Sequence, residues 1–262
     1  MECAAIEPDA TYAGVDAKPR PVSHADVCPA RSAREPVQLL KGPVPGFALW
    51  LCRLDLDPQS TAAMARSLSA SERWRAARFG TDVLRSRWIV GRATLRSLLG
   101  AKLGVEPHAV ELKAGSRGRP ELATPRGLDF NVSHTQAVAL IAIADALPPV
   151  TRVGVDIERA DRAVNSDGLA RKFLTERERA ALAPLDGDSR RRRFLRLWTC
   201  KEAMSKATGD ALSAPFRDIE VSMGEEPKLV AGPPPYTPDA WQLWVAAVPP
   251  HLIATVGIWR RN

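Results

Sequence analysis

Between residues 153 and 158 the chain reads Val-Gly-Val-Asp-Ile-Glu, and this alternation limits what the segment can become. Successive side chains of a strand point to opposite faces. A strand here buries Val155 and Ile157 on one face and holds Asp156 and Glu158 side by side on the other. Two like charges that close are costly unless something answers them. The segment therefore asks for a divalent metal, an arginine or lysine, or a proton shared between the acids. A solvent-exposed edge is the plain alternative.

With 262 residues, the chain can build one large domain or two smaller halves with a sizeable core. Its 37 Lys and Arg against 30 Asp and Glu give a formal charge of +7, which suits an anionic partner: nucleic acid, a phosphorylated small molecule or an acidic protein. Cysteines stand at 3, 28, 52 and 200, without the close pairing of a zinc site or a disulfide framework, so a reducing cytoplasm is expected. The N-terminus lacks the basic-then-apolar pattern of a secretory signal. Val138–Ala144, the core of the longest strongly apolar stretch, is too short to span a bilayer, so no membrane role is expected. Asn131–Val132–Ser133 matches a glycosylation acceptor by accident, given no export signal.

Residues 1–45, rich in Pro, Ala and acids, read as an extended or loosely docked arm. Phe47–Leu56 reads as a first strand. Ser69 and Glu72 form a capping box, and a helical stretch over 83–99 carries Leu84, Trp88, Gly91, Leu95 and Leu98 as one stripe. Strand-like runs follow at Leu128–Val132 and Ala137–Ala144, then the Asp156 strand. A helix over about 166–173 comes next, another is capped by Thr175 with Glu178, and a long one over 190–206 is ended by Gly209. Two more strands, Trp241–Val248 and Leu252–Trp259, close the chain. The elements fall into two comparable sets, 46–148 and 149–262, although no internal sequence repeat is evident.

On the long helix, Glu202 stands among Trp198, Ala203 and Met204, an odd place for an acid on a packing face. With Asp156 and Glu158 it would make a third oxygen ligand, and three such ligands with waters suit octahedral Mg²⁺. An ordinary Glu-Lys surface helix is the alternative. His134 in Ser133–His134–Thr135 reads equally as a phosphate contact or as a structural histidine. Arg117 and Arg119 beside Gly118 make a basic loop suited to an anion or simply solvated. Arg190–Arg193 and Arg196 read as solvated or facing an acidic protein. Together the segments describe metal-assisted transfer at a phosphate centre. Neither a P-loop, nor Gly-x-Gly-x-x-Gly, nor a Gly-x-Ser-x-Gly elbow is present.

Phe130–Thr135, Val153–Glu158, Phe173–Glu178 and Trp198–Gly209 together resemble, in order and spacing, the 4'-phosphopantetheinyl transferase superfamily, and within it the large monomeric class of broad specificity. The resemblance spans about 47–260. It implies an α+β fold, a pseudo-twofold pair of similar halves with the active site at their junction. It also implies transfer of the phosphopantetheine arm of coenzyme A to a serine of an apo acyl or peptidyl carrier protein, with release of adenosine 3',5'-bisphosphate. Carried over by position, Asp156, Glu158 and Glu202 match Mg²⁺ ligands, with Mn²⁺ as a substitute. Lys206 and Lys201 match phosphate contacts, with Lys206 balancing the leaving group. Ser133 and His134 match the coenzyme A segment, His134 at the 3'-phosphate, while Arg119 and Arg87 match further phosphate contacts. Glu178 matches a general base, with Glu158 as the other candidate. Ser86 departs from relatives that carry histidine there.

Two other classes fit parts of the pattern. A Mg²⁺-dependent nuclease also gathers Asp, Glu and Lys at phosphate, but the chain has few interleaved aromatics and no nucleic-acid module. A noncatalytic adaptor for acidic proteins would use the arginines and need no metal.

Overall fold

Phe47–Arg53 and Val138–Asp145, each a strand with little polar interruption, lie at the centre of a first sheet. The computed structural model describes residues 35–124, 126–145, 151–224 and 226–260. The chain divides into two units, Met1–Glu35 and Pro36–Asn262. The first lies outside the described residues except for Glu35. Of the arm expected over 1–45, residues 1–34 lie outside the described residues, and Val37–Leu40 forms strand β1, which pairs antiparallel with β2 (Phe47–Arg53).

From β2 the chain passes through helices α1 (Pro58–Met64), α2 (Ala70–Ala76) and α3 (Asp82–Leu103). A small hairpin of β3 (Leu112–Ala114) and β4 (Pro120–Leu122) follows, then β5 (Leu128–Thr135) and β6 (Val138–Asp145). The second half repeats this order. Strand β7 (Thr151–Arg159) leads to α4 (Ser166–Phe173), α5 (Glu176–Leu182) and α6 (Gly187–Thr208). A hairpin of β8 (Glu220–Met223) and β9 (Pro227–Ala231) and the strands β10 (Trp241–Val245) and β11 (Leu252–Arg260) complete it. The first sheet runs β1-β2-β6-β5, and the second, read from its far end, runs β7-β11-β10. Hence β2-β6-β5 and β7-β11-β10 are one topology used twice, and the α+β architecture of paired halves is the observed one.

The duplication extends to detail. Helices α3 and α6 both have 22 residues, start at 82 and 187, and stop at Gly104 and Gly209, left-handed glycines that let the chain turn away. Each is preceded by a seven-residue helix opened by a capping box, Ser69 with Glu72 in one half and Thr175 with Glu178 in the other.

Alternation along the strands sets the layers. Leu140, Ala142 and Ala144 of β6 face Val153, Val155 and Ile157 of β7 and Ala254, Val256 and Ile258 of β11 across a shared core. The opposite face of β6, Ile141 and Ile143, packs with Cys52 and Phe130 against Val90, Leu95 and Leu99 of α3. The buried stripe of α3 thus begins a turn or more later than its spacing suggests, and Leu84 stays 46% exposed. Helix α6 covers the outer face of the second sheet through Leu195, Leu197, Cys200 and Met204. Cys52 and Cys200 are free, and burial pushes both thiols up to about 12.

Close approach of α6 depends on Gly154. It is the cross-strand partner of Gly257, and a Cβ at Gly154 would lie 1.9 Å from the Ala203 carbonyl oxygen and 2.8 Å from the Ala207 nitrogen. Backbone cannot yield as a flexible side chain can. Gly154→Ala should destabilise the protein by about 3 kcal/mol. Chemical denaturation checks this, and an unchanged midpoint would refute the close-packing account.

Candidate active site

Because Gly154 faces α6, Asp156 and Glu158, two and four residues on, face the same way. Asp156 is only 4% exposed. Its Oδ1 accepts from Ser133 Oγ of β5 at 2.8 Å and from Lys206 Nζ of α6 at 2.6 Å, and Lys206 Nζ also lies 2.9 Å from Ser133 Oγ. Both halves and the long helix therefore meet in one triangle of contacts. Asp156 Oδ2 is buried and has no hydrogen-bond partner among the described residues.

Glu158 extends the cluster. Its carboxylate pairs with Arg162, and Thr135 Oγ1 stands 3.5 Å from Oε2. Burial, and after it the charge of Asp156, pushes Glu158 up to about 7. Glu202 lies one turn before Lys206, so the two share a helix face. Burial works against the Lys206 ammonium, but Asp156, Glu202 and Glu158 outweigh it and hold its pKa above that of an ordinary lysine. Among the described residues no three His, Cys, Asp or Glu side chains converge as a finished metal cage. Lys206 and Arg162 instead supply the cations that answer the two acids. The donor chemistry, carboxylates with one buried Asp156 oxygen unused, fits a hard divalent ion.

A set of contacts invisible to motif reading holds β7 in place. Asp129, Asn131 and Ser133, alternate residues of β5, accept from the backbone N–H groups of Val153, Val155 and Ile157 at 2.7, 3.0 and 3.4 Å. The constant offset means that β5 and β7 run parallel, joined by side chains where a backbone ladder would otherwise form. The sequence signal was the polar alternation Asp129, Asn131, Ser133, Thr135.

Three of the expected site residues are held by contacts within the fold. Lys201 is fully buried, its Nζ donating to the carbonyls of Phe173, Phe216 and Ile219 and paired with Glu178 Oε2 at 2.6 Å. Burial lowers its pKa, against the pull of Glu178. Glu178, 3% exposed, also accepts from the amides of Thr175 and Val221. The first half repeats this device. Glu72 caps α2 and pairs with Arg96 at 2.6 Å, and Arg96 donates to the carbonyls of Pro107, His108 and Val110. Arg96 and Lys201 occupy the same position in their two helices. Lys201, expected as a phosphate contact, and Glu178, expected as a base, are thus paired with one another inside the second half, as Arg96 and Glu72 are inside the first. Arg119 is likewise buried, its guanidinium held by Asp129 and by backbone carbonyls.

His134, next to Ser133 on β5, is exposed. Arg87 on α3 forms a two-point pair with Asp55 at 2.6 and 3.0 Å, and that hydrogen bond raises its pKa. No helix of the described residues is long and apolar enough to cross a membrane.

Comparison with known proteins meets the same two halves. The family model described as 4'-phosphopantetheinyl transferase superfamily matches residues 152–256, and that described as 4'-phosphopantetheinyl transferase, N-terminal, matches residues 57–145. The 4'-phosphopantetheinyl transferase HetI of Nostoc sp. is 36% identical over 215 residues, covering 80% of this chain and 86% of its own. The 4'-phosphopantetheinyl transferase ffp of Bacillus subtilis is 27% identical over 184 residues, covering 70% of this chain and 79% of its own. Family models over both halves and relatives matched over most of their length thus mark an enzyme of group transfer. The chain belongs to the 4'-phosphopantetheinyl transferase superfamily.

Proposed function

We propose that this enzyme moves the 4'-phosphopantetheine arm of coenzyme A onto a serine hydroxyl of an apo acyl or peptidyl carrier protein, with Mg²⁺ (or Mn²⁺), releasing adenosine 3',5'-bisphosphate. The observation that carries this reading is the Ser133–Asp156–Lys206 triangle, with a buried, unused oxygen on Asp156 and two further acids beside it. Asp156, Glu158 and Glu202 would hold the metal. When bound, the ion supplies charge neutralisation at the nonbridging oxygens of the pyrophosphate.

Placement supports the remaining roles. Lys206, kept protonated by its acids, is the cation for the departing phosphate. Ser133 fixes the position of its ammonium, and His134, exposed beside it on β5, would contact the 3'-phosphate. Arg87 would serve a phosphate only by leaving Asp55. With Glu178 committed to Lys201, Glu158 becomes the candidate proton acceptor for the carrier serine, because it is the acid of the pair that reaches the rim of the cluster. The net charge of +7 favours encounter with acidic carriers. We read the enzyme as a cytoplasmic monomer without a nucleic-acid or membrane partner.

The test is a panel of purified apo acyl and peptidyl carriers incubated with coenzyme A, with Mg²⁺ or with chelator. At least one carrier should gain the mass of the transferred arm, and chelation should abolish the gain. Mass spectrometry that finds no carrier modified would overturn the reading.

A further inference from the structure

We propose that Arg119 is a positioning residue that sets the height of Lys206 over Asp156. The inference rests on the proposed transfer reaction and assigns Arg119 a place in it other than contact with the nucleotide. Its guanidinium touches three elements at once. Nε donates to the backbone carbonyl of Lys206 itself at 2.9 Å, binding the last turn of α6. Nη2 donates to the carbonyls of Val153 on β7 and Phe130 on β5, both at 2.9 Å. Nη1 and Nη2 together grip the Asp129 carboxylate at 3.2 and 2.9 Å. Asp129 in turn accepts from the Val153 amide, so that both backbone groups of Val153 are held by this pair.

The geometry converges on the reaction site from the side opposite the side chains. Lys206 reaches Asp156 and Ser133 with its ammonium, while its own carbonyl is held by Arg119. Asp156 follows the pinned Val153 by three residues on the same strand, and Ser133 follows Asp129 by four on β5. All three members of the triangle are therefore referenced to one planar cation. A guanidinium suits this, since its rigid fork reaches several acceptors that a single ammonium cannot span. The side chain is 4% exposed, with its donors turned into the fold, so a phosphate grip does not account for it.

The test combines Arg119→Gln, Arg119→Lys and Lys206→Met, singly and as Arg119/Lys206 doubles, in the carrier-modification assay with coenzyme A. Wild-type turnover serves as the control: without it, the reaction reading fails and Arg119 is not at issue. With it, either Arg119 variant should lower kcat about 10- to 100-fold while leaving KM for coenzyme A within about twofold. In the Lys206→Met background the same substitutions should cost almost nothing more, because residues acting through one another are not additive. Should Arg119→Gln fail to fold, Arg119→Lys carries the comparison. A rise in KM at unchanged kcat, full function with lysine, or multiplicative losses in the doubles would each overturn the proposal. So would loss of the fold in both Arg119 variants, which would make the residue purely architectural.

Discussion

Lys201→Met should cost the protein about 3–5 kcal/mol of stability, because it leaves the Glu178 carboxylate buried without its cation. Lys201 is completely enclosed, and its ammonium also serves three backbone carbonyls that methionine cannot satisfy. Adding Glu178→Gln should recover part of the loss, since the amide oxygen can still accept from the Thr175 or Val221 amide and no lone charge remains. Urea denaturation of the two single variants and the double measures this coupling. Activity decides between architecture and chemistry. If Glu178 serves the fold, Glu178→Gln should transfer at near wild-type rate below its melting temperature. A Glu178→Gln protein that melts like wild type yet has lost turnover would restore it as a base. Arg96→Met, at the equivalent place in α3, should destabilise comparably through Glu72.

Asp156→Asn is expected to act oppositely, removing about 1000-fold of the transfer rate while the fold survives. The substitution preserves shape but withdraws the charge that Lys206 and, in the proposed reaction, the metal answer. Lys206 keeps Ser133 and the field of Glu202 and Glu158, and its side chain is 27% exposed, so an unmatched ammonium there is tolerable. Tm should therefore move little while kcat collapses. Transfer within tenfold of wild type would remove Asp156 from the centre of the mechanism.

The contrast between these substitutions shows what the sequence could convey. Alternation in β7 announced that Asp156 and Glu158 share a face, because a strand's period is built into its backbone. Capping boxes at Ser69 and Thr175 and the glycines after α3 and α6 likewise speak locally, and they were legible. Burial is not local. Lys201 and Glu202 are neighbours in sequence, but consecutive helical residues point about 100° apart. One ends inside the second half, and the other faces Lys206. Arg119 reads as a mobile basic loop residue until β5, β7 and α6 are brought around it. The pairing of halves was expected, but no sequence repeat betrays it because the halves share positions more than letters: Arg96 and Lys201 align when α3 is laid on α6, and only scattered pairs such as Thr94 with Thr199 and Gly104 with Gly209 keep the same residue. The strands β1, β3, β4, β8 and β9, three to five residues each, are too short to declare a period.

The side-chain comb between β5 and β7 has a consequence for the protein's behaviour in a crowded solution. Each half, taken alone, would end in a bare strand edge, the kind of surface on which another chain's strand can grow. Asp129, Asn131 and Ser133 occupy the outward amides of Val153, Val155 and Ile157, so a stranger's strand finds the donors of the β7 edge already taken. The residues that aim the reactive cluster also close this one edge to strand addition.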